Sequence, residues 1–87
     1  MDYTAFTLAY DAIPAGYLQG HYQGRRYGVR KNLSADGRRG NLVAEELGGN
    51  DYISLNFYRL SDGRPKLKPC EMPEDKVIAF VLGFKAK

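Results

Sequence analysis

Cationic side chains are concentrated in one short part of this 87-residue chain. Residues 22–40 hold six of its 13 lysine and arginine residues and a single acid, Asp36. Such a cluster can neutralise phosphate groups, and two tyrosines in the same segment, Tyr22 and Tyr27, can stack on bases. The segment therefore predicts a surface that binds nucleic acid or an acidic protein surface. Its cations are Arg25, Arg26, Arg30, Lys31, Arg38 and Arg39.

We expect this segment to form a basic β-hairpin with a turn over residues 32–37, which ends in Asp-Gly. That turn places Lys31 opposite Arg38 and Arg30 opposite Arg39. Like charges opposite each other destabilise a hairpin by up to about 1 kcal/mol per pair, so either the tip is solvated or an anion binds there. A basic two-stranded ribbon can enter a nucleic-acid groove. The alternative is that the charges only keep the hairpin soluble and prevent pairing of strand edges.

A second polar surface is predicted on the segment 52–60. Its apolar residues alternate with Tyr52, Ser54, Asn56 and Tyr58, as in a half-buried strand. If exposed, two tyrosines beside small hydrogen-bonding side chains suit a protein interface. The alternative is that a helix or a neighbouring strand covers this face.

Residues that could carry out catalysis are few. His21 is the single histidine and Cys70 the single thiol, so together they are the minimum for a base and a nucleophile. No ligand spacing typical of a zinc site is present, and the glycines match neither a phosphate loop nor a dinucleotide fingerprint. We predict a non-catalytic binding module without metal or cofactor, and the alternative is a protein-interaction module or homodimer with no nucleic-acid role.

Length and composition predict one domain over residues 1–87. One cysteine allows no intramolecular disulfide, which favours a reducing compartment. The first residues carry acids where a signal peptide carries cations, and no apolar run approaches the roughly 20 residues of a membrane span. We therefore expect a cytoplasmic protein that does not contact membranes.

The elements that would position these residues follow from alternation and turn signals. We predict strands over 3–10, 17–31, 39–47 and 52–60 and a short edge strand over 64–68. Glycines 16, 20, 24 and 28 share one face of the long second strand with Tyr22, Arg26 and Arg30, and this pattern predicts a sharply bent or bulged strand. Pro73, Glu74 and Asp75 indicate a helix start, and Gly83 lies near its predicted end.

These elements predict an α+β fold: a curved antiparallel sheet of four to five strands with one C-terminal amphipathic helix on one face. The alternative is a small β-barrel closed by the glycine-rich strand.

Overall fold

The computed structural model describes residues 3–86, which form one antiparallel sheet and two helices. The helices are α1 (Thr4–Ala12) and α2 (Glu74–Gly83). The strands are β1 (Gly16–Tyr22), β2 (Arg25–Leu33), β3 (Arg39–Glu46), β4 (Tyr52–Arg59), β5 (Pro65–Pro69) and β6 (Lys85–Ala86).

The six strands lie in the order β5-β4-β3-β2-β1-β6, and all their pairings are antiparallel. The sheet is curved but does not close, because β5 and β6 remain its two edges. The α+β prediction is therefore confirmed, with one more strand and one more helix than expected, and the barrel alternative is wrong. The predictions for β3, β4, β5 and α2 are confirmed, each within one or two residues.

The segment predicted as a first strand is the helix α1. Phe6, Tyr10 and Ile13 are buried, and their spacing of four and three residues places them on one side of a helix. Over so short a segment, Phe6, Leu8 and Tyr10 also match the period of two of a strand. The ambiguity is resolved by packing, because the rings of Phe6 and Tyr10 both contact Phe57 of β4.

The glycine-rich segment predicted as one long strand is a hairpin. Gln23 and Gly24 have φ angles of 52° and 75°, which is typical of a two-residue type I′ turn. β1 and β2 therefore pair tightly, with Tyr22 directly opposite Arg25. A two-residue turn also changes which residues share a face: Tyr22 lies on the same side of the sheet as Arg25 and Tyr27, and not on the side of Arg26 and Arg30.

The pairing of β2 with β3 also differs from the predicted register. Leu33 lies opposite Gly40, Lys31 opposite Leu42 and Arg30 opposite Val43. The turn thus begins two residues later than expected, where the Ser34 backbone N–H donates to the Arg39 carbonyl oxygen. The predicted pairs Lys31–Arg38 and Arg30–Arg39 do not form, so the hairpin avoids their repulsion.

The core lies between the helices and one face of the sheet. Val77, Phe80 and Val81 of α2 are buried together with Phe6 and Tyr10 of α1. The sheet contributes buried side chains from four strands to this cluster: Tyr27, Val29, Leu42, Ala44, Ile53, Leu55, Phe57 and Leu67. Within residues 3–86, neither helix has the length and apolar character needed to cross a membrane.

A hydrogen bond and an ion pair, which share Asp51, link α2 to the sheet. The buried Tyr27 hydroxyl donates to Asp51 at 2.7 Å, and Asp51 forms an ion pair with Lys76 of α2 at 2.9 Å. Burial and this hydrogen bond raise the pKa of Tyr27 from 10.0 to about 12. The ion pair with Lys76 and the Tyr27 hydrogen bond lower the pKa of Asp51.

At alkaline pH we expect the Tyr27 hydroxyl to lose its contribution to the free energy of unfolding. Because the folded-state pKa is raised, this stabilisation is complete below pH 10 and is lost as the pH rises to about 12. Urea unfolding should find the wild type more stable than Tyr27→Phe near neutral pH, with a gap that shrinks at about pH 11. The comparison isolates Tyr27, because the other titrating groups are the same in both proteins. A gap that stays constant across this range would contradict the assignment.

Candidate binding surface

One face of the sheet carries no helix within residues 3–86. Both helices pack on the face that supplies the core, so alternate strand residues point to the other side. We call that side the open face. The register of the six strands assigns the following residues to it: Tyr17, Gln19, His21, Arg26, Gly28, Arg30, Asn32, Arg39, Asn41, Val43, Glu45, Tyr52, Ser54, Asn56, Tyr58, Lys66, Lys68 and Lys85.

The open face is strongly cationic. Among its residues, Glu45 is the single acid. Six cations accompany it: Arg26, Arg30, Arg39, Lys66, Lys68 and Lys85. From the row that contains Arg39 to the row that contains Arg26 the face extends about 27 Å, at about 3.4 Å per residue. An anionic chain that lies along the strand direction over this distance would therefore meet a positive charge at each end and in the middle.

On the open face, the side chain of Tyr17 in β1 reaches over Gly28 in the neighbouring strand β2. A side chain at Gly28 would come within 2.5 Å of the Tyr17 hydroxyl oxygen and 3.2 Å of its ring, so the missing side chain of Gly28 leaves the space in which the ring rests. The Arg30 guanidinium lies 5.4 Å from the centre of the same ring, and the Gln19 amide donates to the Tyr17 hydroxyl at 3.2 Å. The residue is still 52% exposed, which leaves the outer surface of the ring free for stacking.

A row of amide side chains crosses the three central strands. Asn32, Asn41 and Asn56 are neighbours in the register, and the Asn32 amide donates to the Asn41 side-chain oxygen at 3.0 Å. The Asn56 amide donates to the Cys70 sulfur at 3.4 Å. Amides can both donate and accept hydrogen bonds, so this row can recognise polar groups of a ligand.

The end of the open face near the β2–β3 turn is a basic, tyrosine-bearing groove. Tyr58 lies between Arg39 and Lys66 in the register, and these residues line an open pocket of about 450 Å³ together with Arg38 and Lys68. Asp36 is the acid in the lining, and its pKa is lowered because it accepts hydrogen bonds from the Ser34 hydroxyl and the Arg38 backbone N–H.

The structure separates the eight residues of the predicted nucleic-acid surface. Arg26, Arg30 and Arg39 are exposed on the open face, and Arg38 is exposed in the turn before β3. Arg25 lies on the opposite side and contacts Glu46 at 3.6 Å. The basic hairpin also does not project as a ribbon, because β2 and β3 lie in the middle of the sheet.

Tyr22, Tyr27 and Lys31 lie on the core side together with Arg25, and the burial of Tyr27 and Lys31 contradicts the predicted surface role for these two residues. Tyr27 is 1% exposed and Lys31 is 4% exposed. The Lys31 ammonium donates to the carbonyl oxygens of Tyr10 and Ile13, at 2.6 and 2.7 Å, and so caps the C-terminal end of α1. Tyr22 packs its ring on Phe80 of α2. The physical reason is the two-residue turn between β1 and β2, which places both tyrosines on the helix side.

The second predicted surface has a different outcome. Tyr52, Ser54, Asn56 and Tyr58 all lie on the open face, so neither α1 nor α2 covers them. Their role in a protein interface stays a prediction. These four residues and the exposed arginines form one continuous surface, whereas the sequence predicts two separate surfaces.

Sequence reasoning missed Tyr17, Lys66 and Lys68 as members of this surface. The available signal was the pairing of β1 with β2: once the turn is placed at Gln23 and Gly24, alternation puts Tyr17 beside Arg30. For Lys66 and Lys68 the sequence predicts only that they lie on a short edge strand.

The single histidine and the single thiol are far apart. His21 lies in β1 and Cys70 directly follows β5. These strands are four positions apart in the sheet, which is about 19 Å at about 4.8 Å per strand. His21 and Cys70 therefore do not form a base and nucleophile pair in this structure. Within residues 3–86, no three His, Cys, Asp or Glu side chains come together as metal ligands.

No protein-family model, curated protein or solved structure matches this chain.

Proposed function

We propose that this chain is a non-catalytic module that binds single-stranded nucleic acid on the open face of its sheet. The observation that carries the proposal is the exposed Tyr17 ring, which lies over Gly28 and beside Arg30 on a face with six cations and one acid. Proteins that bind single strands combine a positively charged path for the backbone with aromatic rings on which bases stack.

Each part of the open face has a place in this mode of binding. Tyr17 stacks on one base, and Tyr52 and Tyr58 offer two further rings. Arg30, Arg39 and Lys68 neutralise backbone phosphates. The asparagine row accepts and donates hydrogen bonds at base edges, which are accessible only where bases are unpaired.

A single strand is favoured over a duplex because of the shape of the face. The central position of β2 and β3 leaves no free ribbon, and neither helix lies on this side, so no element within residues 3–86 projects far enough to read a groove. A duplex would meet the face through its phosphates alone, whereas a single strand can also use the tyrosines.

Fluorescence anisotropy with labelled single- and double-stranded DNA and RNA tests the proposal. We expect a single strand to bind more tightly than a duplex of the same sequence at low salt. With three phosphates neutralised, the logarithm of the affinity should fall against the logarithm of salt concentration with a slope of about −2.

Absence of binding to every nucleic acid even at low salt would reject the proposal. Sedimentation of the same samples then tests the remaining interpretation. A stable dimer that does not respond to salt would indicate that the open face is an interface between copies of the chain.

A further inference from the structure

A small pocket lies on the helix side of the sheet, at the end where the β2–β3 turn meets α1. Its volume is about 250 Å³, just below the roughly 300–1,000 Å³ typical of small-molecule sites, so it fits one small chemical group. Residues of the pocket wall that matter here are Tyr10, Asp11, Lys31, Arg38, Gly40 and Arg59.

The pocket wall contains a buried hydroxyl without a partner among residues 3–86. Tyr10 is 2% exposed, and its hydroxyl forms no hydrogen bond to this part of the chain. Leaving such a group unpaired costs about 1–3 kcal/mol. The hydroxyl lies against Gly40, where any side chain would overlap it. Both residues line the same pocket, so a ligand atom bound there would give the hydroxyl a hydrogen-bond partner.

The charges around the pocket favour an anion. Lys31, Arg38 and Arg59 line it with one acid, Asp11, which is paired with Arg59. The Lys31 ammonium uses two of its three N–H groups on carbonyl oxygens of α1, which leaves one donor. Burial lowers the pKa of Lys31, Asp11 partly offsets this effect, and Arg59 adds to it. A bound anion would act on Lys31 in the same direction as Asp11.

We propose that this pocket binds a phosphate group, carried either by a free phosphate compound or by the end of a nucleic-acid strand. The group would accept hydrogen bonds from the Tyr10 hydroxyl and the remaining Lys31 N–H, and the Arg38 guanidinium would offer a planar pair of donors. The geometry favours the end of a nucleic-acid strand as the source of the phosphate group. Leu33 and Gly40 line both this pocket and a neighbouring pocket of the open face.

Backbone NMR of the full chain titrated with inorganic phosphate, against chloride at equal ionic strength, tests the site. We expect saturable shifts at the amides of Gly37, Arg38 and Gly40. Tyr10→Phe should weaken phosphate binding at least about fivefold and Arg38→Gln about tenfold, because each removes a hydrogen bond to a charged group. Arg64→Gln is the matched control, since Arg64 is exposed, pairs with Asp62 and does not line this pocket.

Tyr10→Phe also separates binding from folding. It removes an unpaired buried hydroxyl and keeps the ring, so the melting temperature should stay the same or rise. Unsaturable shifts, or equal phosphate affinity in wild type, Tyr10→Phe and Arg38→Gln, would overturn the proposal. This titration does not depend on the open face, so it can fail while the proposed function holds.

Two oligonucleotides identify the source of the group. If a strand with a 5′-phosphate binds more tightly than the same strand with a 5′-hydroxyl, and Arg38→Gln abolishes the difference, the pocket holds the strand end. Equal affinities, with inorganic phosphate still bound in the pocket, assign the site to a free phosphate compound.

Discussion

Tyr17→Ala is expected to weaken the binding of single-stranded nucleic acid by about 5- to 150-fold, because one stacked base is worth about 1–3 kcal/mol. The loss should be similar across sequences, since every base offers a face for stacking. Arg30→Ala should produce a smaller loss and a flatter salt dependence, by about 0.7 in slope for one phosphate contact. Anisotropy titrations at several salt concentrations measure both effects.

Controls for these variants come from the other side of the molecule. Leu8 is 68% exposed on α1, and Arg64 is exposed in the β4–β5 turn and pairs with Asp62. Leu8→Ala and Arg64→Ala remove comparable apolar surface and charge without touching the open face, so their affinities should stay near that of the wild type. If Tyr17→Ala binds as tightly as these controls, the open face is not the binding surface.

The architecture could be predicted from the sequence because most of its signals are local. The alternation of Ile53, Leu55 and Phe57 and the acids after Pro73 placed β4 and α2 correctly. The helix α1 could not be predicted in this way, because a segment of nine residues fits both periods, and only packing of Phe6 and Tyr10 on Phe57 decides between them.

The candidate surface was harder to predict, because it depends on register. Gln23 adopts a positive φ of 52°, an angle that is uncommon for a residue other than glycine. The sequence gives little warning of a turn at that position. Without this turn, strand alternation predicts that Tyr22 lies on the face that carries Arg30 and that Tyr17 lies on the other face. Lys31 was misassigned for a related reason: composition counts its charge but does not reveal that two carbonyl groups of α1 bind it in the core.

Substitutions at two glycines of the β1–β2 hairpin test which side of the sheet forms the core and which side forms the open face. Gly20 and Gly28 lie on opposite sides of the sheet, in strands that pair with each other. At Gly20 a side chain would overlap the Lys85 carbonyl oxygen and the Phe84 ring. At Gly28 the atoms nearest to such a side chain are the hydroxyl and ring of Tyr17, the free end of an exposed side chain.

Gly20→Val is therefore expected to destabilise the fold by about 3 kcal/mol or more, because a backbone carbonyl and a packed ring cannot move aside cheaply. That is a large part of the roughly 4–13 kcal/mol typical of a chain of this length. Urea unfolding followed by circular dichroism measures the loss, since the chain has no tryptophan to report it by fluorescence.

Gly28→Val should leave the fold intact and weaken binding. Valine suits a strand better than glycine by about 0.5–1 kcal/mol, so the free energy of unfolding should stay the same or rise. The valine side chain takes the space under the Tyr17 ring and displaces it from Arg30, so the affinity for a single strand should fall as far as in Tyr17→Ala. The double variant should bind no more weakly than either single one, because both changes remove the same platform. Additive losses would mean that Tyr17 does not act from its position over Gly28, and the stacking platform would have to be sought at Tyr52 and Tyr58.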